Sequence, residues 1–136
     1  MPSVDPAIPP RLLLAYRQTD YRVCGCRLRI GRRLPGALFA RVGARVAVLV
    51  TAWHPRSRRM PAAWNRRMQR NLRQRLRRFA VLDAQGRGRG WCEAMLLVGG
   101  DPRPVIRLAR RFRQNAVVVL RRGQAARLAV LHYAGE

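Results

Sequence analysis

Apolar and polar positions alternate along the chain with periods that change from segment to segment, and those periods predict its elements. "RLLLAYRQ", residues 11–18, places Leu12, Leu13 and Tyr16 on one side of a short helix. "YRVCGCRLRI", residues 21–30, alternates strictly. Val23, Gly25, Arg27 and Arg29 face one way, and Cys24, Cys26, Leu28 and Ile30 the other, which predicts a half-buried strand with its cysteines inward. "GRRLPG" reads as a turn, and "ARVAVLVTAW", residues 44–53, is continuously apolar and rich in β-branched residues, as a central strand covered on both faces must be.

His54-Pro55 has to leave that strand, because proline cannot donate to a ladder and restricts the residue before it. Pro61 fits the first turn of a helix. Trp64, Met68, Leu72, Leu76 and Phe79 then recur at spacings of four, four, four and three, one apolar stripe. Arg66, Arg67, Arg70, Arg73, Arg77 and Arg78 fill much of the remaining circumference. "DAQGRGRG" reads as a loop, "WCEAMLLV" as a strand, and "DPRPVIRLARRFRQ" as a helix with Asp101 at its start, where a carboxylate suits the dipole. "NAVVVL" and "ARLAVLHY", joined by "RRGQA", predict a C-terminal β-hairpin. The expectation is a single α/β (or α+β) domain over residues 11–136, with a mixed sheet of about five strands and two main helices. A flexible proline-rich arm is expected over residues 1–10.

Composition changes this picture mainly through charge. The 136 residues carry a formal net charge of +23, and all 29 basic residues are arginine. A GC-rich coding bias replaces lysine with arginine, but it does not explain the shortage of acids. Only Asp5, Asp20, Asp83, Glu93, Asp101 and Glu136 are acidic, and none falls between Tyr21 and Leu82. Such a field attracts phosphate backbones and other polyanions and repels a second copy of the chain. With 49% hydrophobic residues, global disorder is excluded. The longest apolar run is far below the ~18 residues of a membrane span, and the proline-bearing start is unlike a signal peptide. Three cysteines do not form an even disulfide framework, so free, buried thiols in a cytoplasmic protein are expected. Cys-x-Cys on one strand lacks the spacing of structural zinc, and no metal or cofactor motif is readable. "GRGRG" lacks the strand–loop–helix context of a phosphate loop.

"Y-R-Q-T-x-Y" at Tyr16–Tyr21, "T-A-W-H-P-R-S" at Thr51–Ser57, Asn65 followed by Leu72 and Leu76, "W-C-E" at Trp91–Glu93 and "F-R-Q-N-A" at Phe112–Ala116 together resemble the DUF3293 family of small bacterial proteins. The resemblance spans nearly the whole chain, with two departures. His54-Pro55 stands where the family usually has Asn-Pro, and Ala94 and Met95 stand where it has a second acid and a serine. It implies a single domain and candidate positions, not a reaction.

Two functional classes follow. In the first, the arginine-rich helix face, with Arg58, Arg59, Arg66, Arg67, Arg70, Arg73 and Arg77, grips nucleic acid or another polyanion without reading its sequence. In the second, a small anionic ligand binds at the Thr51–Ser57 loop, over a strand end and near a helix N-terminus, contacted by Thr51, Arg56, Ser57, Asn65 and Gln114. Thr51 and Ser57 equally suit turn hydrogen bonds, and Asn65 suits capping or packing. Glu93 and His54 are the candidate catalytic residues of that second class. Glu93 shares a strand face with Trp91, Met95 and Leu97, where a carboxylate must be paired or shift its pKa. It is a structural partner for an arginine, a general base or orienting acceptor, or an exposed group on an edge strand. A third class, binding of the basic amphipathic helix at an anionic membrane surface, competes with the core for the same apolar stripe.

Overall fold

The computed structural model describes residues 9–131. The elements in order are α1 (Pro10–Gln18), β1 (Asp20–Val23), β2 (Cys26–Leu28), α2 (Gly36–Val42), β3 (Val46–Val50), α3 (Ala62–Arg75), β4 (Ala80–Gly88), β5 (Trp91–Gly99), α4 (Pro102–Arg111), β6 (Ala116–Arg121) and β7 (Arg127–Val130), with a 3₁₀ turn at Pro55–Ser57 between β3 and α3. The described strands form one seven-stranded sheet in the order β2-β1-β4-β5-β3-β6-β7, antiparallel at every pairing. The expected single α/β domain is present, but its sheet is neither mixed nor five-stranded.

Two misread turns account for the extra strands. Cys24 and Gly25 both adopt positive φ, 50° and 79°, and close a two-residue hairpin in which Val23 pairs with Cys26. Turns with two positive φ values match the twist of antiparallel strands. The run expected as one strand is therefore two, and the cysteines part: Cys26, half-buried, packs against the core as expected, while Cys24 in the turn is exposed. The stretch expected as a loop from Asp83 onward is instead the second half of β4. It pairs Ala84–Arg87 with β1 and runs alongside β5 to the Gly88–Trp91 pair. Glycine every second residue there weakens the strand signal without abolishing pairing. The segment after the "GRRLPG" turn also holds a helix, α2, which ends at Gly43 in the left-handed conformation.

The sheet has a core on each face. Ala47 and Leu49 of β3, Met95 and Leu97 of β5 and Val118 and Leu120 of β6 pack with Leu38, Phe39 and Val42 of α2. Their alternates Val48, Val50, Leu96, Val98 and Val117 pack with Leu72 and Leu76 of α3 and Val105 and Ala109 of α4. The continuously apolar β3 is thus covered on both sides, as its composition requires. Most of the expected stripe packs on the sheet: Leu72 and Leu76 are fully buried and Met68 and Phe79 pack partly against them. Trp64, in contrast, is half-buried outside this cluster, and α3 itself ends at Arg75, before Leu76 and Phe79. Asp101 caps α4 by accepting from the Arg103 N–H at 3.0 Å. Helix α1 begins one residue earlier than expected. Residues 1–8 of the expected N-terminal arm, and His132 and Tyr133 of the expected hairpin, lie outside the described residues.

Candidate functional site

The segment after β3 is fixed almost entirely by amide and hydroxyl side chains. The Thr51 hydroxyl donates to the Ala94 carbonyl at 2.8 Å and accepts from the Trp53 N–H at 3.1 Å. Gln69 of α3 accepts from the Ala52 N–H at 2.8 Å. Asn65, buried at 1% exposure, accepts from the His54 N–H at 3.1 Å and donates to the Met60 carbonyl at 3.2 Å. From the other side, Gln114 donates to the Trp53 carbonyl at 3.0 Å and Asn115 to the Ser57 hydroxyl at 2.8 Å. These bonds hold a strained backbone. His54, Arg56 and Ser57 have φ of 47°, 53° and 60°, and Arg113, whose carbonyl accepts from the Arg56 N–H, has 57°. Non-glycine residues in the left-handed region persist only where their surroundings over-determine them.

Behind this loop, on the α1 and α2 side of the sheet, lies a cavity of about 210 Å³. Helix α1 covers it with Leu12, Ala15 and Tyr16. Tyr21, Gly86, Trp91, Glu93 and Met95 come from the sheet, and Thr51, Trp53, His54, Ser57 and Gln114 form the loop end. Of the expected ligand-binding set, Thr51, Ser57 and Gln114 reach this cavity, as do both candidate catalytic residues. Asn65 borders only an adjoining recess of about 450 Å³, which shares Trp53, His54, Ser57, Trp91 and Glu93 with the cavity and adds Arg59. Arg56 is exposed and lines neither.

The two titratable candidates differ sharply. Glu93 sits on β5, an interior strand and not an edge, and no arginine among the described residues forms an ion pair with it. Burial pushes its carboxyl up from 4.5 to about 7. The Nδ1 atom of His54 accepts from the Met60 N–H at 3.0 Å, so the neutral ring carries its proton on Nε2. Burial and the Arg59 charge lower the pKa of His54. His54 therefore presents a donor to the site, with its basic nitrogen already engaged. Burial raises the Tyr16 phenol to about 12, against a hydrogen bond with Ser57, and also raises Tyr21.

On the opposite side of the sheet, beside α3, runs a groove of about 710 Å³. Arg66, Arg70 and Arg73 approach from α3, spaced so that they share one helix face, Arg22 from β1 and Arg87 from β4. Period-two alternation separates the surfaces: Arg22, Gln85 and Arg87 face the groove, while Tyr21 and Gly86 face the cavity. Asp83 is the one acid on the groove, and it is paired with Arg73. Asp20 lies 3.9 Å from Arg22 and is held below its ordinary value chiefly by its hydrogen bond with Arg27. Arg22 Nε, Trp53 Nε1 and Gln69 Nε2, all from groove-lining residues, are buried donors with no protein partner. Of the arginines expected to bind nucleic acid, Arg66, Arg70 and Arg73 converge here, whereas Arg58, Arg59, Arg67 and Arg77 are exposed elsewhere.

Sequence reasoning missed Arg22 and Arg87 because their strands were read as a single strand and a loop. Gln69 and Asn115 gave no periodic signal. Tyr16, Trp53 and Trp91 stood in family-like motifs but were not assigned to a site. Among the described residues no three His, Cys, Asp or Glu side chains gather as a metal site would need, and no helix is long and apolar enough to cross a membrane. Comparison with known proteins gives one match: the family profile of DUF3293, described as a protein of unknown function, matches residues 50–117. No curated protein and no solved structure matches the chain.

Proposed function

The chain belongs to the DUF3293 family, and we propose that it binds the phosphate backbone of nucleic acid, without sequence specificity, in the groove beside α3. The observation that carries this reading is convergence. Five arginines from three elements face one groove, and its single acid is already neutralised there by the Asp83–Arg73 pair. Coding bias sets how many arginines a chain has. It does not bring Arg22, Arg66, Arg70 and Arg87 from separate segments to a common surface. Guanidinium groups contact phosphate in a bidentate fork and position a backbone without reading bases.

The test compares two triple variants by anisotropy titration of labelled RNA and DNA across a salt series. Arg66→Gln, Arg70→Gln and Arg87→Gln remove groove charges that have no carboxylate partner among the described residues. Arg41→Gln, Arg45→Gln and Arg121→Gln remove equal charge from exposed positions outside the groove. The groove variant should bind at least about tenfold more weakly, and its log–log salt slope on duplex DNA should flatten by about 0.9 for each phosphate it no longer neutralises. The control variant should change both by much less. Equal losses in the two variants would replace the groove with a diffuse effect of net charge, and an absence of binding at low salt would remove the proposal altogether.

A further inference from the structure

We infer that the cavity beneath α1 is a binding site for a small organic amine, its ammonium group held by the Glu93 carboxylate and its apolar body enclosed by Tyr16, Tyr21, Trp53 and Trp91. This is a second site, on the opposite side of the sheet from the cationic groove, and it reverses the charge expected of a ligand there.

The first reason is what the lining lacks. The chain has 29 arginines, yet none of the 19 residues that line the cavity is one. Glu93 is the one acid of the lining, so an entering carboxylate or phosphate would meet like charge once it ionises. An unpaired carboxylate in a confined site is costly, and nothing among the described residues relieves it. A ligand cation would. The second reason is the enclosure. Four aromatic side chains border the space, and aromatic faces attract ammonium groups while their bodies bury apolar surface. The third is size. At about 210 Å³ the cavity falls below the roughly 300–1,000 Å³ of drug-sized sites, which limits the occupant to a small molecule. The adjoining recess shares Trp53, His54, Ser57, Trp91 and Glu93 with the cavity.

Other titratable and charged groups face Glu93 from the elements around it. Tyr16 from α1 and Tyr21 from β1 are both raised, so they remain neutral. His54, from the loop, is lowered by burial and by the charge of Arg59, which borders the recess but not the cavity. Amine binding therefore selects ionised Glu93, strengthens as pH rises from 5.5 to 8, and releases a proton near neutrality.

The test is isothermal titration of the full chain with phenethylamine, with neutral 3-phenylpropanol and with anionic 3-phenylpropanoate. The amine should bind at least about tenfold more tightly than either control at pH 8, and Glu93→Gln should reduce its affinity at least about tenfold while leaving the alcohol's within about twofold. Titrations in buffers of different ionisation enthalpy should show proton release at pH 7. Preference for the carboxylate, an unchanged amine affinity in Glu93→Gln, or failure of the amine to bind at millimolar concentration each overturns the inference. Glu93 does not line the groove, although Trp53 and Met95 border both spaces, so nucleic-acid binding by Glu93→Gln, measured alongside, separates failure of this site from failure of the groove.

Discussion

Replacing Glu93 by glutamine should make the protein more stable, and only above the pH at which the unfolded chain ionises. The folded carboxyl titrates at about 7 against an ordinary 4.5, and burial is the cause. Well below pH 4.5 the group is protonated in both states and contributes no difference. As pH rises from 4.5 to about 7 the unfolded chain ionises while the folded one resists, so stability falls; above about 7 the loss is complete. At about 1.36 kcal/mol per pH unit the gap corresponds to a ceiling of about 3 kcal/mol, and the half-buried side chain, partly screened by water on the recess side, brings the expectation to about 2 kcal/mol. Urea unfolding followed by tryptophan fluorescence at pH 4.5, 6 and 8 reads this directly. The variant and wild type should nearly coincide at pH 4.5 and separate by about 2 kcal/mol at pH 8, the variant the more stable. Asp20 and Asp101, both lowered by arginine partners, lose their contribution at acid pH in both proteins and cancel. Parallel curves, or a variant weaker than wild type at pH 8, would refute the reasoning, because either result means that Glu93 already has a stabilising partner.

Other substitutions test the frame that holds the two sites. Asn65→Ala deprives the His54 N–H and the Met60 carbonyl of their partners, and should cost about 2–3 kcal/mol by urea unfolding. Leu72→Ala, at a position with 0% exposure between α3 and the sheet, should cost about 2–5 kcal/mol. Gly99→Ala would place a methyl 2.6–2.9 Å from Val42, including its backbone carbonyl, so β5 and α2 must separate, at about 1–3 kcal/mol in the same assay. Asp101→Ala removes the cap of α4 and should lower stability by about 0.5–2 kcal/mol.

Where the sequence carried a strong period, it located the elements. The fourfold spacing from Trp64 to Leu76 marked α3, and the apolar run at Val46–Val50 marked a strand buried on both faces. It failed where local chemistry and tertiary pairing disagree. Cys24 gives no hint that it will take a φ of 50°, yet that turn splits one apparent strand into two. Gly86 and Gly88 look like loop residues, but β1 and β5 supply partners that override their low strand propensity. Both errors removed groove arginines from view, since Arg22 and Arg87 acquire a common surface only once β1 and β4 are paired. For the loop, the sequence pointed to Thr51, Asn65 and Gln114 but not to their work. Each spends hydrogen bonds on the backbone of residues 52–60 or of strand β5, which is a positioning task that residue type alone does not separate from ligand contact.

The distribution of arginine also bears on whether its abundance is mere coding bias. Bias acts on codons and is blind to which side of a sheet a residue will face. Burial explains part of the sorting, since it excludes guanidinium groups from an enclosed space. It excludes carboxylates just as strongly, yet the cavity retains Glu93 and receives no arginine beside it, in a chain where cations are the commonest charge. If Glu93 were present for structure, an ion pair with an arginine would stabilise it, and Asp20, Asp83 and Asp101 each have such a pair. Of the four acids within the described residues, Glu93 alone has none, and it alone lines the arginine-free cavity. That combination is what the proposed ligand site would require: one carboxylate kept open and no arginine beside it.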